Sequence, residues 1–329
     1  MPIRRRKNES QLNYKTLESR QMLATVVVNT PVDVVDATDG LTSLREAVEQ
    51  ANTDDTVDVI TFDSSIADQP VVLENLLPIL SNVEITIDGD LNDDSVADIT
   101  IQGVDEISGI SRQNVRDRTV FNFNQSDVQF DGLTFSGFSN TEGELTGIAG
   151  GGRNSTASFI NSNFDGNSFT GATGSVLNFT IEVNIFIDNS SFTNNTSLNS
   201  LLSLSSAILF PNTLTIQNST FDNNISERGT VVSTGNTTTA IDNSSFTNNS
   251  GSTGALIAGS GISNSPNSLA ITNSVFAENE GTNGGAISLR TVEAQISNSL
   301  ITDNVTANNG GGILNSCLLY TSPSPRDRG

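Results

Sequence analysis

Six times between residues 159 and 304 the chain repeats one phrase, apolar-x-Asn-Ser-x-apolar-x-x-Asn. It reads Phe159, Asn161, Ser162, Phe164, Asn167, and then Ile187, Asn189, Ser190, Phe192, Asn195. It returns at Ile216, Asn218, Ser219, Phe221, Asn224 and at Ile241, Asn243, Ser244, Phe246, Asn249. The last two copies are Ile271, Asn273, Ser274, Phe276, Asn279 and Ile296, Asn298, Ser299, Ile301, Asn304. The closing asparagines are 28, 29, 25, 30 and 25 residues apart. A period of that size, with one short unit per repeat, constrains the chain to a solenoid, in which each unit buries its apolar side only against its neighbours.

The units themselves decide which solenoid. Runs such as Leu214-Thr215-Ile216 and Leu269-Ala270-Ile271 alternate apolar and other residues over too few positions for a helix, and so read as strands. Gly, Asn, Ser and Thr fill the gaps, which is turn chemistry. No leucine-rich helical face separates the strands, which disfavours a leucine-rich horseshoe. The expected fold is all-β, a parallel β-helix with one coil per repeat and a rise of about 4.8 Å per coil. Each slot then becomes a column: an inward aliphatic one, an inward phenylalanine one, a small inward serine, and asparagines at the bends. Asparagine tolerates the left-handed backbone, and its amide can bond to the asparagine one coil away. Gly174-Ser-Val-Leu177, Gly229-Thr-Val-Val232, Gly254-Ala-Leu-Ile257, Gly284-Gly-Ala-Ile287 and Gly311-Gly-Ile-Leu314 read as turns that open the next strand. The Asn-x-Ser/Thr triplets also match glycosylation acceptors, but their periodic placement is better explained by structure.

Length and charge bound the rest. The 329 residues suffice for one elongated domain. The formal charge is −22, yet six basic residues (Arg4, Arg5, Arg6, Lys7, Lys15, Arg20) precede Ala24. Residues 25–316 hold seven arginines, no lysine and 34 acids, a difference of −27. Such a body repels nucleic acid and anionic lipid, and its charge also keeps open-ended β-rods from stacking. A nucleic-acid partner is therefore not expected. No apolar run is long enough for a transmembrane helix, and a monomeric solenoid is expected.

The ends differ from the body. Residues 1–25 are expected to be an unstructured, basic, export-like segment without an ordinary apolar signal stretch. Residues 26–66 read as an N-terminal cap, because Ser43-Leu-Arg-Glu46 fits a capping box and Leu44, Ala47, Val48 and Ala51 then share one helix face. Residues 67–316 are the predicted β-helix. From Cys317 the chain reads Cys-Leu-Leu-Tyr-Thr-Ser-Pro-Ser-Pro-Arg-Asp, which breaks the repeat and resembles a translated sequencing adapter. Residues 317–329 are thus read as non-native, with a natural chain continuing past about Ser316. The other 316 residues contain no cysteine, so no disulfide frames the fold.

These segments carry resemblances. Leu17-Glu-Ser-Arg-Gln-Met-Leu-Ala24 resembles the LEPR-x-L-L motif of large exported planctomycete proteins, with Ser19 in place of the proline. Val28-Asn-Thr30, Asp39-Gly-Leu-Thr-Ser-Leu-Arg-Glu-Ala47, Ala51-Asn52 and Ile60-Thr-Phe62 resemble the CSLREA domain family, with Thr42 in place of its cysteine. Leu80, Ile85-Thr-Ile-Asp-Gly89 and Ile99-Thr-Ile-Gln-Gly103 extend that resemblance. The Phe-x-x-Asn and Gly-Gly-Ala-Ile phrases look like polymorphic outer membrane protein repeats. Together these imply a right-handed parallel β-helix, secreted or held at the cell surface in association with the outer membrane. They imply no particular activity.

One loop has the composition of a metal site. Asp88-Gly-Asp-Leu-Asn-Asp-Asp-Ser-Val-Ala-Asp98 places oxygen ligands at alternate positions, and Asp88, Asp90, Asn92, Asp94 and Asp98 are the candidate ligands for Ca2+. Asp93 and Ile99 stand where an EF-hand needs glycine and glutamate. An acidic surface loop between two strands is the plainer reading. No catalytic set is predicted. Histidine is absent, adjacent acids such as Asp54-Asp55 and Asp93-Asp94 would face opposite ways in a strand, and Arg112, Arg116 and Arg118 fall in a polar insertion.

Three functions remain. The preferred one is a non-enzymatic secreted or cell-surface solenoid, adhesin-like or envelope-structural, whose partner is an extracellular or cell-surface polysaccharide or protein. The others are a polysaccharide-degrading enzyme of the pectate-lyase type and a calcium-dependent glycan-binding module. The sequence reveals no aromatic sugar platform, since the phrase phenylalanines point inward and tryptophan is absent.

Overall fold

The computed structural model describes residues 24–54, 57–108, 118–140, 145–171, 174–205, 211–252, 254–258, 268–290 and 292–315. The basic segment before Ala24, Asp55, Arg112, Arg116 and the Cys317 tail lie outside the described residues.

The chain forms a right-handed parallel β-helix with three faces, sheets of ten, sixteen and nine strands. One coil shows the circuit. Val183–Asp188 lies in the ten-stranded sheet, Ser191–Thr193 and Thr196–Ser197 in the sixteen-stranded sheet, and Leu202–Ser205 in the nine-stranded sheet. Asn212–Gln217 then returns beside Val183–Asp188, with Ile187 paired to Ile216. Parallel strands joined by such crossovers adopt the right-handed sense.

Each slot of the phrase does become a column. The rings of Phe135, Phe164, Phe192, Phe221, Phe246 and Phe276 stack with centroids 4.7, 4.4, 4.6, 4.6 and 4.7 Å apart. Phe130, Phe159, Ile187, Ile216, Ile241 and Ile271 form the neighbouring column, all buried.

The two asparagines of the phrase have different jobs. The first, at Asn161, Asn189, Asn218, Asn243, Asn273 and Asn298, takes a positive φ of 46–51° and turns the chain between faces. The closing asparagine does not; the residue before it does, as Gly166, Asn194, Asn223, Asn248, Glu278 and Asp303. Freed from the turn, the closing asparagine puts its amide inside. The Nδ2 of Asn167 donates to Asn195 Oδ1 at 2.9 Å, and the chain of bonds continues through Asn224, Asn249 and Asn279 to Asn304 at 2.9–3.0 Å. Asn195 shows why this is stable. Its Oδ1 accepts from the main-chain N–H and the Nδ2 of Asn167, and its Nδ2 donates to Asn224 Oδ1 and to the Phe164 carbonyl. All four hydrogen-bonding capacities of a buried amide are filled.

Serine adds a second ladder that the spacing did not announce. The N–H of Ser162 donates to Ser190 Oγ at 3.1 Å, and the pattern repeats through Ser219, Ser244 and Ser274 to Ser299. Each hydroxyl donates back to the carbonyl two residues earlier, as Ser190 does to Asp188 at 2.8 Å. The glycine phrases open strands of the nine-stranded sheet. Val232, Leu256, Ile287 and Ile313 are register partners; Val232, Leu256 and Ile287 are buried, while Ile313 in the last described coil is exposed.

The helix Leu44–Thr53 caps the first coil. Ser43 and Glu46 form the capping box, and Leu44, Ala47, Val48 and Ala51 are the buried face. Arg45 ties the cap down: it bonds both oxygens of Asp33 at 2.7 Å and the carbonyls of Asn75 and Leu76. Strands Ala24–Val28 and Val57–Phe62 open the same ten-stranded sheet that the solenoid continues.

Removing the Asn224 amide takes away the acceptor of the Asn195 N–H, one of the two acceptors of Asn195 Nδ2 and the side-chain donor to the Phe192 carbonyl. Asn224→Ala is expected to destabilise the fold by about 3 kcal/mol or more, read as a fall in the urea midpoint. Asn218→Gly, which keeps the left-handed turn at the surface, is expected to change the midpoint little.

Candidate functional site

Two acidic regions adjoin the ten-stranded sheet. The first is the loop that follows Glu84–Asp88 and precedes Ile99–Ser108. Its shape comes from its own carboxylates. Asp90 accepts the N–H groups of Asp94 and Ser95 at 3.1 and 2.8 Å, and Asn92 accepts that of Asp94 at 3.0 Å. Asp94 accepts the Val96 N–H at 3.0 Å, and Asp98 accepts the Leu91 N–H at 2.9 Å. Asp88 accepts the Asp90 N–H at 3.1 Å. Asp93 and Ser95 supply the positive φ that lets so short a segment fold back on itself.

The five predicted ligands are therefore brought into one loop but do not converge. Among the described residues no group of three or more Asp, Glu, His or Cys side chains is placed to hold a metal ion. One oxygen each of Asp88, Asn92, Asp94 and Asp98, and both oxygens of Asp90, accept amides of the loop itself.

The parallel register adds a residue that sequence spacing had hidden. Asp88 pairs with Asp131, one coil on. Asp131 in turn accepts from Asn161 Nδ2 at 2.8 Å and Gln129 Nε2 at 3.3 Å. Partial burial raises the pKa of Asp88, opposed by the Asp90 N–H and reinforced by the charges of Asp131, Asp90 and Asp93.

The second region is a shallow cleft of about 260 Å3 at the N-terminal end of the same face. Asp58, Glu84, Asp127, Thr86, Gln129 and Ser158 are among the residues that line it. Alternation along each strand points Glu84, Thr86, Asp127 and Gln129 outward while Ile85, Ile87, Val128 and Phe130 fill the core. Asp58 reaches the same side through a β-bulge. Ala24 and Thr25 pair with Val57 and Val59, which leaves Asp58 as the extra residue, and bulges commonly re-aim a side chain in this way. Its Oδ2 accepts the Ala24 N–H at 3.2 Å.

Sequence reasoning missed this cleft, though a signal exists. Glu84-Ile-Thr-Ile-Asp88 and Asp127-Val-Gln-Phe-Asp131 share the pattern acid-apolar-polar-apolar-Asp, the mark of two strands with one polar side. It also missed Phe186, the one phenylalanine among the described residues that is not buried; it faces outward beside Ser158. Of the arginine cluster, Arg118 is described and has an interaction partner; Arg112 and Arg116 lie outside the described residues.

The class defined by these features is a parallel β-helix protein with an acidic outer face. No protein-family model matches the chain, and no curated protein matches it. Among solved structures, it is similar to an alginate lyase of the PL6 family at 14% identity and a TM-score of 0.46, over 93% of this chain and 41% of that one. The chain thus spans less than half the length of that structure. A likeness at this level transfers no residue role and no substrate.

The raised pKa of Asp88 has a definite sign. The folded chain holds that proton more tightly than the unfolded chain, so ionisation opposes folding as pH rises through the raised value. Asp88→Asn keeps an acceptor for the Asp90 N–H and is expected to raise the thermal midpoint at pH 7. The gain should vanish by about pH 3, where the carboxyl is protonated in both states.

Proposed function

We propose that the chain is a non-enzymatic β-solenoid that acts outside the cell or at its surface, as an adhesin-like or envelope-structural module. Its partner on this reading is an extracellular or cell-surface polysaccharide or protein. The observation that supports it most is the way the solenoid engages its polar side chains. The phrase asparagines and serines make ladders inside or at the turns. Acids along the outside are held by neighbours one coil on: Asp165 by Thr193 and Asn194, Asp188 by Asn218, Asp222 by Thr247 and Asn248, and Asp242 by Thr272 and Asn273. Arg45 is locked in the cap. No helix among the described residues is long and apolar enough to cross a membrane.

Polysaccharide cleavage has one observation on its side, since Glu84 and Asp127 stand in register and line a cleft. Hydrolysis needs one carboxyl kept protonated, and apolar burial is the usual means. Both side chains are exposed, which favours binding over cleavage. Incubation with neutral and acidic polysaccharides is expected to release neither reducing ends nor unsaturated products; saturable turnover of any of them would overturn the proposal.

In a calcium-dependent form of this function, an ion would share the carboxylates of Asp90 and Asp94 with the amides of Asp94, Ser95 and Val96 that they accept. The arrangement predicts the same thermal midpoint in millimolar calcium and in chelator. A midpoint raised by calcium would restore the ion as a ligand of Asp88, Asp90, Asn92, Asp94 and Asp98.

A further inference from the structure

We propose that Asn154 is an acceptor for an N-linked oligosaccharide, the Asn-x-Ser/Thr triplet that the folded solenoid leaves open to transfer. Most such triplets among the described residues belong to the phrase, and its period explains them. Asn154-Ser155-Thr156 lies outside the phrase. It forms the corner between Gly147–Gly152 of the nine-stranded sheet and Ser155–Ile160 of the ten-stranded sheet. Asn154 is exposed and takes a φ of 51°. Its side-chain amide has no hydrogen bond within the protein. Thr156 supplies the hydroxyl that such a triplet requires. It faces outward at the start of its strand, and that hydroxyl is equally free. Ser155 between them is buried, so the triplet is anchored while both recognised side chains face solvent.

The other triplets among the described residues are closed by the fold. The Nδ2 groups of Asn189, Asn194, Asn218, Asn243 and Asn248 each donate to a side chain one coil earlier at 2.7–2.8 Å. Asn195, Asn224 and Asn304 are rungs of the internal ladder, and Asn236 is fully buried. Asn124 is exposed, but the Ser126 hydroxyl two residues on is buried against the carbonyls of Leu80 and Asn124. Asn178 sits within a strand, paired with Gly150 on one side and Ser203 on the other. A transferase must draw both the amide and the hydroxyl into its own site, so each of these triplets first needs local opening of the solenoid. Asn154 offers its side chain without it. In the transfer, Nδ2 forms a bond to the anomeric carbon of a lipid-pyrophosphate-linked oligosaccharide. The anomeric C–O bond to phosphate breaks, the lipid pyrophosphate leaves, and the amide gives one proton to a base of the transferase. The glycan then stands beside the acidic cleft, which Thr156 and Ser158 help to line.

The inference rests on the reading that the chain acts outside the cell, because this modification belongs to secreted proteins. The folded full chain is incubated with a transferase that reads Asn-x-Ser/Thr and with its lipid-linked donor, and the products are mapped by mass spectrometry of their peptides. Transfer is expected at Asn154, about tenfold or more above any other triplet of the described residues. Asn154→Gln and Thr156→Val should abolish it, Thr156→Ser should keep it, and Asn154→Gln should leave the thermal midpoint unchanged. Tryptic peptides of the same chain, in which every triplet is open, should accept glycan at several of them. No transfer to Asn154 in the folded chain, or equal transfer to Asn189 or Asn218, overturns the proposal. So does the same preference for Asn154 among the peptides, which places the selection in sequence rather than fold. Protein recovered from the culture fluid or envelope of its source without glycan on Asn154 overturns the modification and leaves the surface reading standing. Recovery from the cell interior alone overturns the surface reading, while transfer to the folded chain still decides the acceptor.

Discussion

Everything else in this solenoid depends on a buried amide ladder. A parallel β-helix must turn sharply between faces, and each turn leaves polar groups near a core too narrow to admit water. Burying such a group without a partner costs about 1–3 kcal/mol. The ladder from Asn167 to Asn304 turns this liability into a repeating bond, since each amide satisfies the backbone of one coil and the side chain of the next. It also fixes register. A coil shifted by one residue would put the left-handed turn residue, or a residue such as Thr196, Ile225 or Glu280, where the amide must go, so the stacked rings of Phe135 to Phe276 follow from the same constraint.

That constraint explains how much of the molecule the sequence reveals. Columns are legible because a stack translates a sequence period directly into a neighbour in space, so Ile187 and Phe192 could be placed inside from spacing alone. The capping box at Ser43 and Glu46 was equally legible, being local. The division of labour between the two asparagines was not, because the left-handed residue is Asn194 or Gly166, a position the phrase leaves variable.

The site was less legible for a physical reason. In the repeat region neighbouring coils are similar, and a period reveals them. The cleft is built where the coils are irregular: Glu84 and Asp127 are 43 residues apart in the chain, and Asp58 enters through a bulge. The acidic loop drew attention because its residues are contiguous, yet contiguity let its carboxylates bond to its own amides. Asp131, the partner of Asp88, came from another coil altogether. Composition thus located the acids, but only the register shows which of them are engaged and which face outward unpaired.

The claim that the buried asparagine ladder, rather than the surface turns, holds the coils together can be tested by amide hydrogen exchange. The main-chain N–H groups of Asn195, Asn224 and Asn249 donate to the next rung. They are predicted to exchange among the slowest in the protein, on the scale of global unfolding. Exchange of these three as fast as that of freely solvated amides would contradict the account.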